Sequence, residues 1–158
     1  MNNKGFTLVE LLATISLLAV LMMIAVPNII GVVNRNKNKT YVEDAKKLVA
    51  LAEYKVRSDP ANKPTNGKYF CFSMETLGEA EFDTTAPNGG KYDADKSYVK
   101  VTKGEDNALQ YSVVLAEDKD GKFIGILNET LADNLYKDND IVSLITSGNV
   151  GECSGVKK

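Results

Sequence analysis

Glu10 is the one charged side chain between Phe6 and Asn34, and its setting limits what a carboxylate there can do. Residues 6–26 read FTLVELLATISLLAVLMMIAV. A charge at the centre of a membrane helix costs about 2.5–3.5 kcal/mol on insertion scales, so a chain that retains one uses it. From Leu11 to Asn34 no charge occurs. That stretch, as a helix, spans roughly 36 Å, enough for a hydrocarbon core of about 30 Å. Directly before the run stands a polar stub, MNNKG, ending in Gly5.

The remaining candidates for chemistry are sparse. Histidine is absent, which removes the commonest acid/base side chain and metal ligand. The chain carries no Walker loop, dinucleotide fingerprint or nucleophile elbow. No acid/base or nucleophile constellation assembles, so no enzymatic role and no cofactor are expected. Asp118-Lys119-Asp120-Gly121 has part of a calcium-loop pattern but lacks its first acid and its bidentate glutamate, so a hairpin turn is expected there. Asp138-Asn139-Asp140 is equally unspecific, and the Asn38 and Asn128 glycosylation patterns are of a kind that arises often by chance. A net charge of −2 lacks the electrostatic footprint of a nucleic-acid binder. The 158 residues suffice for one modest domain.

On the residues alone, three readings fit the apolar run: a secretory signal peptide, a single-span anchor, or an anchor cut after Gly5 to leave Phe6 as the new N-terminus. The signal peptide fits worst. Its basic region holds only Lys4, an acid intrudes on the apolar part, and Ala25-Val26-Pro27 offers no clean cleavage site. Lys4-Gly5-Phe6-Thr7-Leu8-Val9-Glu10-Leu11-Leu12 resembles the processing site of type IV prepilins and their pseudopilin relatives. The likeness joins Gly at the cut, Phe after it, Glu four residues on, and an apolar run broken by Pro27. It covers about the first 30 residues closely, and the rest in layout only. It implies that a prepilin peptidase cuts Gly5–Phe6 on the cytoplasmic face and that the Phe6 amine is methylated. It also implies that Glu10 meets a neighbouring subunit's Phe6 amine in a fibre, fixing axial register. Arg35, Lys37 and Lys39 outnumber Lys4, so the positive-inside rule alone would not choose this orientation, and the processing motif sets it.

These residues need a long helix to hold them. Beyond Gly31, apolar residues recur at Val42, Ala45, Val49, Ala52 and Val56, one stripe of an amphipathic helix, widened by Tyr41 and Leu48. Glu43 and Lys47 have the spacing of an i,i+4 pair on its polar side. Asp59-Pro60 ends the helix near Ser58. A helix from Phe6 to Ser58 is too long for so small a domain and is expected to protrude, its apolar half covered by a bilayer or by other copies. Pro27 removes the bond to the Met23 carbonyl and introduces a kink, with Gly31 lowering the cost of unwinding. A tolerated membrane-helix proline and a hinge used in fibre packing both account for it.

Past Asn62 the texture changes to strands and turns. Lys68–Ser73 is a strand candidate, Ser73–Gly78 a helical turn and Asp83–Lys91 a loop. Tyr98–Lys103, Leu109–Glu117 and Phe123–Leu127 are strands with hairpin-like connections, so an antiparallel meander is expected against the helix stripe. Asn128–Tyr136 reads as a short helix, Ile141–Thr146 as a strand or turn, and the last eleven residues as loop. Cys71 and Cys153 are the two cysteines, and in an exported domain a disulfide is the default, with two buried thiols as the alternative. The expected fold is α+β: a leader at 1–5, an apolar transmembrane and polymerisation helix at 6–34, its amphipathic half at 35–58, and an antiparallel-sheet head at 59–158. The resemblance implies a structural subunit of a type IV pilus, or else a pseudopilin of a secretion or DNA-uptake system. A monomeric membrane-anchored binding domain is the reading from another class. The implied partners are other pilin subunits, prepilin peptidase, the inner-membrane assembly machinery and, before assembly, the lipid bilayer. The implied location is the cytoplasmic membrane, then the extracellular pilus.

Overall fold

A computed structural model describes residues 6–65, 68–78, 82–104, 106–137, 141–151, 153 and 156–157. It divides into two compact units, residues 1–36 and 37–158. Helix α1, Leu8–Ser58, runs through both. Its apolar first part is exposed from Leu8 to Val33, and it is long and apolar enough to cross a membrane by length and composition. Pro27 and Gly31 lie inside this helix, which continues past both.

In the second unit the stripe is buried as the 3,4 spacing requires: Tyr41, Val42, Ala45, Leu48, Val49, Ala52 and Val56. Each large aliphatic buried there contributes about 1.5–3 kcal/mol. The ion pairs on the outer face contribute a few tenths each, so packing holds this half of α1. Those pairs differ from the expected one. Glu43 is bridged to Lys46 at 2.8 Å, and Lys47 to Asp44 at 2.9 Å. Asp44 is buried at the edge of the stripe and also accepts from the Tyr92 hydroxyl at 2.9 Å, which fixes the carboxylate that Lys47 meets. That bond raises the Lys47 pKa.

The sheet comprises β1 (Tyr69–Ser73), β2 (Lys91–Tyr92), β3 (Tyr98–Lys103), β4 (Leu109–Lys119), β5 (Lys122–Leu131), β6 (Thr146–Gly148) and β7 (Val156–Lys157). Among the described residues three short α-helices follow strands or precede them, α2 (Met74–Gly78), α3 (Ala132–Leu135) and α4 (Ile141–Leu144), and a 3-10 turn at Pro60–Asn62 follows α1. The strand order is β6-β5-β4-β3-β1-β7, and β2 pairs with β4 beyond the end of β3. All pairings are antiparallel except β1 with β7. The β3-β4-β5 meander is the one the alternation predicts. Its β4–β5 connection is a two-residue turn with Asp120 at φ 55° and Gly121 at φ 78°, the positive φ pair a type I′ turn needs. Asp118 Oδ1 accepts from Gly121 N at 3.1 Å, so this acid closes a turn.

Several boundaries differ from expectation. Asn128–Leu131 extends β5 instead of opening a helix, and only Ala132–Leu135 is helical. The register shifts between Val113 and Leu115, where Val113 faces Thr130 but Leu115 faces Ile126. This bulge leaves Leu127, Asn128 and Glu129 opposite Val114 alone and lets Thr130 and Leu131 stay paired with β4. The Asp83–Lys91 loop gains a bridge from Thr85 to Lys91, and the expected C-terminal loop contributes β7. The motif at 138–140 lies outside the described residues.

Strand alternation divides the sheet's two faces. Phe72, Val99, Val101, Val113, Leu115 and Ile126 join the α1 stripe in one core. On the opposite face Cys71, Tyr98, Val114 and Cys153 form a smaller cluster, with Val150 against it. Burial pushes the Tyr98 phenol up to about 12, and the Glu129 charge adds to this. Cys71 and Cys153 are disulfide-bonded, with Cα atoms 6.2 Å apart. The C-terminal segment has little core of its own, so this bridge, closing a separation of 82 residues, ties it to β1 together with the short β7 pairing. Chain entropy gives a loop of that size up to roughly 4–5 kcal/mol. A Cys153→Ser variant of residues 37–158 is expected to melt lower by on the order of 10 °C. A free-thiol assay on the unreduced native protein should read near zero, and two reactive thiols per chain would refute the bridge.

A buried polar cluster anchors the loop before β2. Glu117 is fully buried on the inward row of β4, in phase with Leu109, Tyr111, Val113 and Leu115. It accepts from the Tyr41 hydroxyl and from Gly90 N at 3.0 Å. Asn88 Nδ2 donates to the Tyr41 oxygen at 2.9 Å. Gly90 is required: a Cβ there would lie 2.7 Å from Glu117 Oε1. Burial first, then the Glu117 hydrogen bond, raises the Tyr41 pKa.

Candidate functional site

The N-terminal segment is built on a helix start. Thr7 N and Thr7 Oγ1 both donate to Glu10 Oε2, at 2.9 and 2.8 Å. In return Glu10 N donates to Thr7 Oγ1 at 3.3 Å. This reciprocal pattern is a capping box, which satisfies two backbone donors that an α-helix leaves open at its first turn. Helix α1 therefore begins at Leu8, two residues later than the apolar run suggests. Glu10 also sits where the helix macrodipole favours negative charge.

Thr7 is a residue that the sequence argument passed over, although the Thr-x-x-Glu spacing spells the box. Its role is to aim the carboxylate back toward the residue-6 end of the helix. Phe6 is 83% exposed beside it. Gly5, and with it the Gly5–Phe6 bond, lies outside the described residues. The carboxylate's partners here are both Thr7 atoms, so a cation brought beside Phe6 would compete with or join a preformed acceptor.

Along the segment, polar groups are turned onto the backbone. Thr14 Oγ1 donates to Leu11 O and Ser16 Oγ to Leu12 O, both at 2.8 Å. Asn28 Nδ2 donates to Ile24 O at 3.4 Å, one residue beyond the carbonyl that Pro27 deprives of a donor. Internal bonds of this kind let hydroxyls and amides face lipid or other helices at low cost. A Cβ at Gly31 would meet nothing within 4 Å. Pro27 and Gly31 thus share a helical stretch with no side-chain packing to hold it. Cys71 and Cys153 belong to the head, in the other unit, and are no part of this site.

A scan of protein-family models matches residues 1–26 to the prokaryotic N-terminal methylation motif. No curated protein and no solved structure gives a match. The matched residues include Gly5, Phe6, Thr7, Glu10 and most of the exposed apolar helix. Over these residues the chain is similar to the prepilin signal of type IV pilin and pseudopilin precursors.

Proposed function

We propose that this chain is the structural subunit of a type IV pilus. It is cut at Gly5–Phe6, methylated on the Phe6 amine, and polymerised through its N-terminal helix. The observation that carries this reading is Glu10. It is a carboxylate held ready by Thr7 at the head of a helix whose next 24 residues are uncharged and exposed. Before assembly the helix rests in the bilayer. Extraction exchanges lipid for helix–helix contact, and Ala13, Ser16, Ala19 and Ala25 allow close approach. Glu10 then pairs with a neighbour's Phe6 ammonium, which offsets the burial of both charges and sets axial register. Pro27 and Gly31 supply a hinge where the helix adjusts to its neighbours. The partners on this reading are other pilin subunits, prepilin peptidase, the inner-membrane machinery and the bilayer. The mature subunit resides in the extracellular fibre.

The test begins at the N-terminus. Mass spectrometry of the mature protein should find methylated Phe6 as its first residue. Intact Met1, or a cut near Ala25, would overturn the processing step. Gly5→Val should leave full-length precursor in the membrane, because a branched side chain does not fit a site that accepts glycine. Electron microscopy of sheared surface fibres, with subunit identification, then separates the readings. A pilus subunit is recovered in long fibres, a pseudopilin or monomeric anchor only in membranes.

A further inference from the structure

We propose that four lysines of the head unit, Lys37 and Lys39 at its start and Lys119 and Lys122 at the β4–β5 turn, form a collar that binds anionic lipid headgroups while the subunit is parked in the bilayer. This rests on the reading that the apolar helix occupies the membrane.

The first observation is a charge imbalance. Between Glu10 and Glu43 every charge is positive: Arg35, Lys37 and Lys39, interleaved with asparagines. Successive residues of a helix turn by about 100°, so Lys37 and Lys39 point to different sides. The second observation is a pairing that folding does not favour. Lys119 and Lys122 lie directly opposite each other at the β4–β5 turn, and both are exposed. Like charges so placed repel, and a bound anion removes the penalty.

One lysine of each pair, Lys37 and Lys119, meets the same residue. Lys37 Nζ donates to Asn88 Oδ1 at 3.1 Å, and Lys119 Nζ to the Asn88 carbonyl at 3.5 Å. Among the described residues none of the four forms a salt bridge. The nearby acids are otherwise engaged. Glu117 is buried on Tyr41 and Gly90, Glu43 is bridged to Lys46, and Asp83 accepts from Thr85 N. Asp118 closes the turn and faces Lys91 across β2. Asp120 lies in the turn between Lys119 and Lys122, the acid beside them in sequence that opposes the cations.

Chain position selects the lipid. Lys37 and Lys39 follow the last apolar residue, Val33, by four and six positions on the same helix. That is a rise of about 6–9 Å, the depth of one headgroup layer. Each lysine near an anionic surface strengthens binding about fivefold.

The experiment uses the full chain in vesicles of phosphatidylcholine alone, or with about one phosphatidylglycerol in three. Lysines are labelled by reductive methylation, whose aldehyde is neutral, and read by mass spectrometry. Lys39, Lys119 and Lys122 should react several-fold more slowly in the anionic vesicles, and Lys63 equally in both. About 1 M salt, with a screening length of roughly 3 Å, should abolish the difference. Lys119→Gln with Lys122→Gln should return Lys39 to its rate in neutral lipid. If Lys39 stays slow in that variant, its protection comes from chain position alone and the collar is refuted. Equal rates in both vesicles for a chain that floats with both refute the collar but leave the membrane helix standing. A chain that floats with neither refutes the membrane reading itself, and the collar with it.

Discussion

Cells that make only the Glu10→Ala subunit are expected to process it, insert it and fold its head, yet to build no filaments. The proposed assembly needs a carboxylate buried beside the Phe6 ammonium of the next subunit. Alanine makes the membrane segment more apolar, which favours the parked monomer. It also strands the neighbour's ammonium in an apolar bundle, a loss of roughly a hundredfold or more in association at each contact. Because the contact repeats along a fibre, even part of that loss moves the balance to monomer. Alanine has a second effect, however. It removes the side chain that accepts from Thr7 N and Oγ1, so the first turn of α1 loses its cap. Glu10→Gln separates the two. Glutamine serves in a capping box as glutamate does but carries no charge. If charge pairing sets register, Glu10→Gln fails as Glu10→Ala does. Filaments from Glu10→Gln but not Glu10→Ala would show that helix capping is what assembly needs. Abundant normal filaments from Glu10→Ala would sink the mechanism altogether.

What the sequence made legible was local periodicity. The 3,4 spacing from Val42 to Val56 located the buried face of α1, and alternation located β3 and most of β4. Both patterns state which residues must leave water together, so they survive without knowledge of the partner. Two features with non-local causes escaped. The end of β5, from Asn128 to Leu131, opens with Asn128 and Glu129, poor strand formers that read as a helix start, and the pairing of Thr130 and Leu131 with β4 across a bulge holds it extended. Strand β7 pairs only Val156 and Lys157 with Cys71 and Phe72, too short a run to show any period. Its position follows from the Cys71–Cys153 bridge and not from its own residues. At the candidate site the motif gave Gly5, Phe6 and Glu10, while Thr7 was overlooked because the box it forms coincides with the processing motif.

Glu117 closes the expected strand Leu109–Glu117, and its task was not read from the sequence. Strand phase already put it on the inward face, where a carboxylate is costly unless hydrogen-bonded. Its donors, Tyr41 and Gly90, stand 76 and 27 residues away in sequence, so no local pattern announces them. We expect Glu117→Leu to be among the most damaging single changes in the head. It leaves the Gly90 amide and the Tyr41 hydroxyl buried without an acceptor, each at about 1–3 kcal/mol. A branched side chain must also fit at a place so tight that a Cβ added at Gly90 would lie 3.1 Å from Glu117 Cγ. Together these cost roughly 3–5 kcal/mol, or on the order of 10 °C or more in the melting temperature of residues 37–158. Tyr41→Phe removes one donor and leaves the carboxylate with Gly90 alone. It should cost about 1.5–3 kcal/mol, since the lost bond is to a charged group. Because both changes act on one network, the double variant should fall short of their sum. Hydrogen exchange should then show Gly90 and the loop around Asn88 opening before the meander does. A Glu117→Leu head that melts within a few degrees of the native one would mean that the carboxylate is not what secures the loop. Full additivity with Tyr41→Phe would mean that the two residues act apart.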